Sequence, residues 1–286
     1  FKIWIKKIIR KCIGWYLKDL AAQQTEFNAW TVRYINQEFS ILRQMDQELT
    51  RLEHIRRKNT IGANHVPDEW YVKFEDHFRG DSELIKERLN YYVEIFRSRK
   101  YVLDLGCGRG EFLQLMKEND IEASGCDLNE SMIEICKKKG LNVEKKDCLE
   151  MLLEQKNNSI DGIFASQLVE HLTHEELFRV LKTAYEKMRK GGVLILETVN
   201  PLTLGVFCYG FYIDPTHTVP VHPAMLRFMA ESIGFKVDPV GFLNEFPEEY
   251  LFKKNSRMNQ DEIEFVDKLN KQLFGAQDYY LVCRKG

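Results

Sequence analysis

Nine residues, 102–110 (VLDLGCGRG), constrain this 286-residue chain more than any other stretch. A short apolar run ends in glycines at alternate positions, Gly106, Gly108 and Gly110, and the helical pattern EFLQLMKEN follows at once. Glycine allows the backbone to approach a ligand closely, and the N–H groups of such a turn gather at a helix N-terminus. The same alternation continues downstream. Residues 101–105 read as a first strand, 123–126 as a second closed by Asp127, and 142–146 as a third closed by Asp147. Further strands are expected at 160–165, 193–199, 235–242 and 279–284. Helices are expected at 130–139 and at about 175–189, the latter opened by a capping box of Thr173 and Glu176. Strands alternating with helices predict an α/β domain built on a parallel sheet. The polar, helix-prone stretch 244–277 reads as an insertion covering the sheet edge.

The turn and the strand-end acids together point to an adenine nucleoside. Asp127 stands 21 residues beyond Gly106, where a carboxylate accepts both ribose hydroxyls. A dinucleotide site has G-x-G-x-x-G. This chain has G-x-G-x-G, with Asp104 two residues before the first glycine, and that spacing disfavours a nicotinamide cofactor.

VLDLGCGRG, taken with Asp127 and Asp147, resembles the class I S-adenosylmethionine-dependent methyltransferases over about residues 69–286. The resemblance implies an α/β, Rossmann-like sheet of seven strands with the last one antiparallel. It implies that Gly106, Gly108 and Gly110, with Asp104 and Cys107 in the same segment, bracket the methionine part of S-adenosylmethionine. Asp127 would bind the ribose, Leu128 would lie against adenine, and Asp147 with Cys148 would approach the adenine amino edge. Gln167 would line the methyl-donor side. FEDHFRG (74–80), VEHL (169–172) and FYIDPTHTVPVHP (211–223) resemble bacterial methyltransferases of surface-polysaccharide synthesis, those of O-antigen or S-layer glycans. A saccharide or glycan-lipid acceptor is then expected, with S-adenosylhomocysteine as product. A lipid or quinone acceptor, or an inactive cofactor-binding scaffold, are the alternatives.

A sugar hydroxyl is a poor nucleophile, so a base is sought among the histidines. His217 is the first choice, with Asp214 three residues earlier to orient its ring; His171 is the competitor. His171 equally reads as a turn residue before the Thr173 cap, and His217 with His222 as part of a packed loop whose histidines cap helix 224–233. Asp214, His217 and His222 read as a hydrogen-bonded loop, and no metal is assigned. His77 is a candidate for the cofactor pocket, and Phe207, Tyr209, Phe211 and Tyr212 for a platform under a sugar ring. Arg79 either pairs with the cofactor's carboxylate or forms a surface ion pair. Cys107, Cys126 and Cys148 read as small buried residues.

The N-terminal 57 residues are of another kind. Residues 1–20 hold six Lys/Arg and one acid, +5, which leaves −7 for the rest of a chain whose net charge is −2. At helical spacing Ile5, Ile8, Ile9, Cys12, Ile13, Tyr16 and Leu20 share one side, with the basic residues opposite. Such a helix suits an anionic membrane surface, or packing on a partner helix. Ile35, Phe39, Leu42, Met45, Leu49 and Leu52 form a heptad-like seam within 29–57, expected as a coiled coil between protomers or a helix folded back. Residues 58–68 read as a linker. The near-neutral charge argues against nucleic acid. Seven cysteines without a CxxC pair argue against a disulfide framework, so a reducing cytoplasm, with peripheral contact to the inner membrane face, is the expected setting.

Overall fold

The computed structural model describes residues 66–286 and, in the arm, residues 18, 22, 24–26, 28–42, 44 and 45. The chain divides into two units, Phe1–Asn64 and His65–Gly286. Within the first, 28–42 form a helix, α1, on which Ile35, Phe39 and Leu42 are exposed, as is Met45 beyond it. Most of the basic stretch 1–20 and all of 58–65 lie outside the described residues, as do Leu49 and Leu52. Among the described residues no helix is long and apolar enough to cross a membrane.

The second unit opens with three helices, α2 (Asp68–Phe78), α3 (Ser82–Leu89) and α4 (Val93–Phe96). The alternating part follows: β1 (Val102–Leu105), α5 (Glu111–Glu118), β2 (Ala123–Asp127), α6 (Glu130–Lys138), β3 (Val143–Lys145), α7 (Cys148–Glu154), β4 (Ile160–Ser166), α8 (His174–Lys187) and β5 (Met188–Val199). The chain ends with α9 (Gly205–Tyr209), α10 (Pro223–Ile233), β6 (Phe235–Val237), β7 (Gly241–Glu245), α11 (Gln260–Phe274) and β8 (Ala276–Lys285). Strand order is β3-β2-β1-β4-β5-β8-β6, with β7 also on β8. β1 to β5 pair in parallel, while β8 runs antiparallel to β5, β6 and β7.

Burial explains the layers. Every residue of β1 and β4 is buried, the near-continuous apolar run of a strand covered on both faces. Leu149, Leu152, Leu177, Leu181 and Leu226 carry α7, α8 and α10 onto one face. Ile85, Leu89, Phe96, Phe112 and Met116 carry α3, α4 and α5 onto the other. Thr173 accepts from the Glu176 N–H and Glu176 answers with its carboxylate, so the expected capping box opens α8.

Two details depart from expectation. The expected strand 235–242 is two strands, β6 and β7, broken across Asp238, Pro239 and Val240; proline has no N–H to give a ladder. The stretch 244–277 begins inside β7, and α11 then packs beside α9 rather than along an edge: Leu204 N–H donates to Gln272 O at 2.9 Å, and Phe274 meets Phe246.

Candidate functional site

Order in the sheet reverses between β1 and β4, and ligands of open α/β sheets bind at the strand ends beside such a reversal. The glycine turn lies there. Gly106 and Cys107 both donate to Cys126 O at 2.9 Å, which ties the turn to the end of β2. Gly108 and Gly110 have φ of 50° and 80°, in the left-handed region that favours glycine. A Cβ on Gly110 would stand 2.5 Å from Leu141 Cδ1 and 2.8 Å from Cys136 Sγ, so packing alone forbids a side chain. On Gly108 it would meet only Arg79 Nη1, at 3.6 Å.

Asp127 closes β2 as expected. Its Oδ2 accepts from Gly108 N–H at 2.9 Å and its Oδ1 from Asn129 N–H at 2.8 Å. Burial raises its carboxyl, and those N–H groups and Arg79 oppose the rise. Each oxygen keeps a lone pair, which is what two ribose hydroxyls require. Leu128 beside it is exposed. Asp147 is buried and caps α7, accepting from Leu149 N–H at 2.8 Å; Cys148 is buried behind it. Asp104 is buried in β1, and burial, then Asp127, push its carboxyl well above the usual range. The turn, an acid with spare lone pairs and an exposed leucine beside it fit an adenosylated cofactor.

A cavity of about 260 Å³ adjoins this row of residues. Tyr71, Phe74, Phe78, Tyr209 and Ile213 give it apolar walls; Ser166, Gln167, His171, Glu197, Asp214, His217, Asn244 and Asp278 give it polar ones. Arg79 also lines it, 3.4 Å from Glu75. Burial raises the carboxyls of Asp104, Asp127, Glu170, Glu197 and Asp278, and Arg79 opposes the rise in every one. Arg79 is thus a cation beside these carboxyls, and its ion-pair partner is Glu75 of α2.

Thr218 bonds the two histidine segments together: its N–H and hydroxyl both donate to Glu170 O, at 2.8 and 2.9 Å. The rings of His171 and His217 end 4.7 Å apart. Asp214 accepts from Tyr71 Oη at 2.8 Å, from Thr216 Oγ1 at 2.6 Å and from Thr216 N–H at 2.8 Å. Burial works to raise its carboxyl, but these bonds hold it below the usual range. The single hydroxyl proton of Thr216 thus goes to Asp214, so the 3.0 Å contact between Thr216 Oγ1 and His171 Nδ1 has the imidazole N–H donating. That tautomer leaves the lone pair of the His171 ring on Nε2. Burial, then His217, push the His171 imidazole down to about 4, which keeps it neutral near pH 7.

The expected pair of Asp214 and His217 stands at ion-pair distance but is not hydrogen-bonded. Asp214 Oδ2 stands 3.9 Å from His217 Nε2, beyond hydrogen bonding, because His217 turns its Nδ1–H to Phe211 O at 2.7 Å. His222 leaves the site altogether and caps α10, its Nδ1 accepting from Ala224 N–H. His77 packs edge-on against Phe78 and is not among the cavity residues. Of the four aromatics expected under a sugar, Tyr209 lines the cavity, Phe207 packs half-buried on the cluster of Val206, Phe211 and Phe246, Phe211 is buried and Tyr212 is 74% exposed. Among the described residues, the group able to share a cation is Glu170, His171 and His217, with ligand atoms within 4.8 Å of one another. Glu170 Oε2 accepts from Thr198 at 2.8 Å while its buried Oε1 has no hydrogen-bond partner.

Sequence reasoning passed over Tyr71, Glu170, Glu197, Thr216, Asn244 and Asp278. Glu197 and Asp278 do carry a signal, a lone acid inside the apolar runs VLILETV and QDYYLVC. Thr216 and Tyr71 carry none, since their roles depend on residues 45 and 143 positions away.

Comparison with known proteins agrees with this geometry. A family model described as a methyltransferase domain matches residues 76–240, more than half of the chain. Curated relatives include the mitochondrial ubiquinone biosynthesis O-methyltransferase of Mus musculus, 28% identical over 178 residues, which are 55% of this chain and 48% of that protein. The enzyme of the same name from Coxiella burnetii is 28% identical over 166 residues, 52% of this chain and 70% of the relative. The match thus spans about half the length of the mouse protein. A solved structure from Archaeoglobus fulgidus, a SAM-dependent methyltransferase, is 42% identical with a TM-score of 0.71, covering 76% of this chain and all of its own. With the glycine turn, the ribose-type acid and these matches together, the chain belongs to the S-adenosylmethionine-dependent methyltransferases.

Proposed function

We propose that the chain methylates a hydroxyl group of a sugar ring. The observation that carries this reading is the cavity, where aromatic side chains face a wall of carboxylates, carboxamides and imidazoles. A sugar presents an apolar face and an edge of hydroxyls, and that cavity complements both. S-adenosylmethionine supplies a methyl group on a sulfonium. Gly106, Gly108, Gly110 and Asp127 would hold it, with Leu128 toward adenine, Asp147 and Cys148 toward its amino edge, and Gln167 on the donor side. His171 Nε2 takes the acceptor's proton, and the imidazolium that forms is stabilised through Thr216 by Asp214. His217 stands beside it as a second acceptor of hydrogen bonds.

Two observations favour variants of this reading. The curated relatives act in ubiquinone biosynthesis, which supports a quinol ring as acceptor. The unpartnered Glu170 Oε1 beside the two histidines supports a divalent cation that acidifies the hydroxyl in place of a free base. Residues 1–20 would bring the enzyme to an anionic membrane where lipid-linked acceptors reside, and the seam of 29–57 would pair two copies. The deciding experiment offers methyl-labelled cofactor with glycan-lipids, free glycans and quinols, with and without EDTA. Label in a glycan supports the sugar reading; label in a quinol alone replaces it, and label lost with EDTA replaces the free base.

A further inference from the structure

Two residues of this domain other than glycine and lining the cavity hold left-handed backbone angles, Gln167 at φ 53° and Asn244 at φ 57°. Such a conformation is disfavoured for a residue with a side chain and persists where the surroundings hold it. Both give their amide to the same carboxylate. Gln167 Nε2 donates to Asp278 Oδ1 at 3.0 Å, and Asn244 Nδ2 donates to Asp278 Oδ2 at 2.6 Å. Neighbouring Glu197 is filled differently, by the hydroxyls of Ser166 and Tyr92, one on each oxygen. The wall formed by the ends of β4, β7 and β8 therefore offers acceptors: the spare lone pairs of Asp278 and the amide oxygens of Gln167 and Asn244, whose amide nitrogens clamp it. It lies in the same cavity as His171 but belongs to other elements.

We infer that Asp278, fixed by Gln167 and Asn244, selects acceptors with a second hydroxyl adjacent to the one methylated, so that the substrate is a ring bearing a vicinal diol. This rests on the reading of the cavity as the acceptor site. One hydroxyl meets His171, and its neighbour donates to Asp278. An acceptor lacking that second hydroxyl forfeits a charge-assisted hydrogen bond to Asp278, so the site discriminates against it.

The test uses two probe pairs on the full chain loaded with S-adenosylhomocysteine: 1,2-cyclohexanediol against cyclohexanol, and catechol against phenol. In at least one pair the diol should bind about tenfold or more tightly. Asp278→Asn should remove that preference and leave the affinity for S-adenosylhomocysteine unchanged. Asn244→Gly, which suits the positive φ and deletes one clamp, should reduce the preference by about threefold, and it serves should Asp278→Asn fail to fold. Equal binding of diol and mono-alcohol by the wild type overturns the inference while the acceptor reading stands, as does a preference untouched in both variants. Binding of none of the four probes overturns the acceptor reading and the inference with it.

Discussion

The two regions proposed to hold cofactor and acceptor, the cofactor half and the acceptor half, are built in opposite ways. The cofactor half is local: the glycine turn, Asp127, Leu128 and Asp147 each sit within a few residues of a strand end. Backbone N–H groups from Gly108, Asn129 and Leu149 do much of the orienting there. The acceptor half is assembled across the chain, from α2, the turn after β4, the loop 209–217, β7 and β8. Its side chains orient one another, Tyr71 on Asp214, Thr216 on His171, Asn244 on Asp278. Half the site can therefore vary its substrate while the other half stays fixed, and mutations should divide along the same line.

The largest effect should come from the acceptor half. His171→Ala should lower kcat by about 10²–10⁴ with cofactor affinity kept within about threefold, whereas His217→Ala should cost less. Equal losses in both, or a cofactor affinity that falls with kcat, would break the division.

From the other half, Asp127→Ala should weaken S-adenosylhomocysteine binding by about tenfold or more, since a buried charge-assisted acceptor is lost. Calorimetry checks this, and an unchanged dissociation constant in a folded variant removes the ribose assignment.

Stability should report on His171 by itself. Its imidazole is held at about 4 when folded against an ordinary 6.5, so between those values the unfolded chain binds a proton that the folded one refuses. More protons bound in the unfolded state means that stability rises with pH, so it falls as pH drops from 6.5 toward 4. Between pH 7 and pH 5 the wild type should lose about 1–2 kcal/mol more than His171→Asn. Glu170 and Glu197, raised by burial to about 8 and about 7, titrate in both proteins, so the difference reports on the histidine together with its influence on Asp214. Parallel urea midpoints for the two proteins would show that burial does not depress this ring.

Smallest of all should be the effect of the arm on chemistry. Removal of residues 1–20 should leave cofactor affinity unchanged and abolish sedimentation with anionic liposomes, an attachment that salt weakens. Equal liposome binding by both chains rules out the membrane role.

The same contrast explains what could be read from the sequence. Glycines at alternate positions and acids closing apolar runs are local signals, so the α/β order and the strand-end places of the proposed cofactor row were legible in the sequence. Strand breaks were less so: Pro239 marks the division of β6 from β7, yet the apolar residues on either side read as one run. The base was legible only as a pair of histidines. Which of them Asp214 serves is decided by Thr216 and by Phe211 O, partners that the spacing of Asp214 and His217 in the chain does not reveal.

The relay of Asp214, Thr216 and His171 is the centre of the account, and kcat for two substitutions at Thr216 tests it most directly. Thr216→Ser keeps the hydroxyl and should keep kcat within about twofold; Thr216→Val removes it and should lower kcat by about tenfold or more, with cofactor affinity unchanged in both. Equal turnover by the serine and valine variants would contradict the relay.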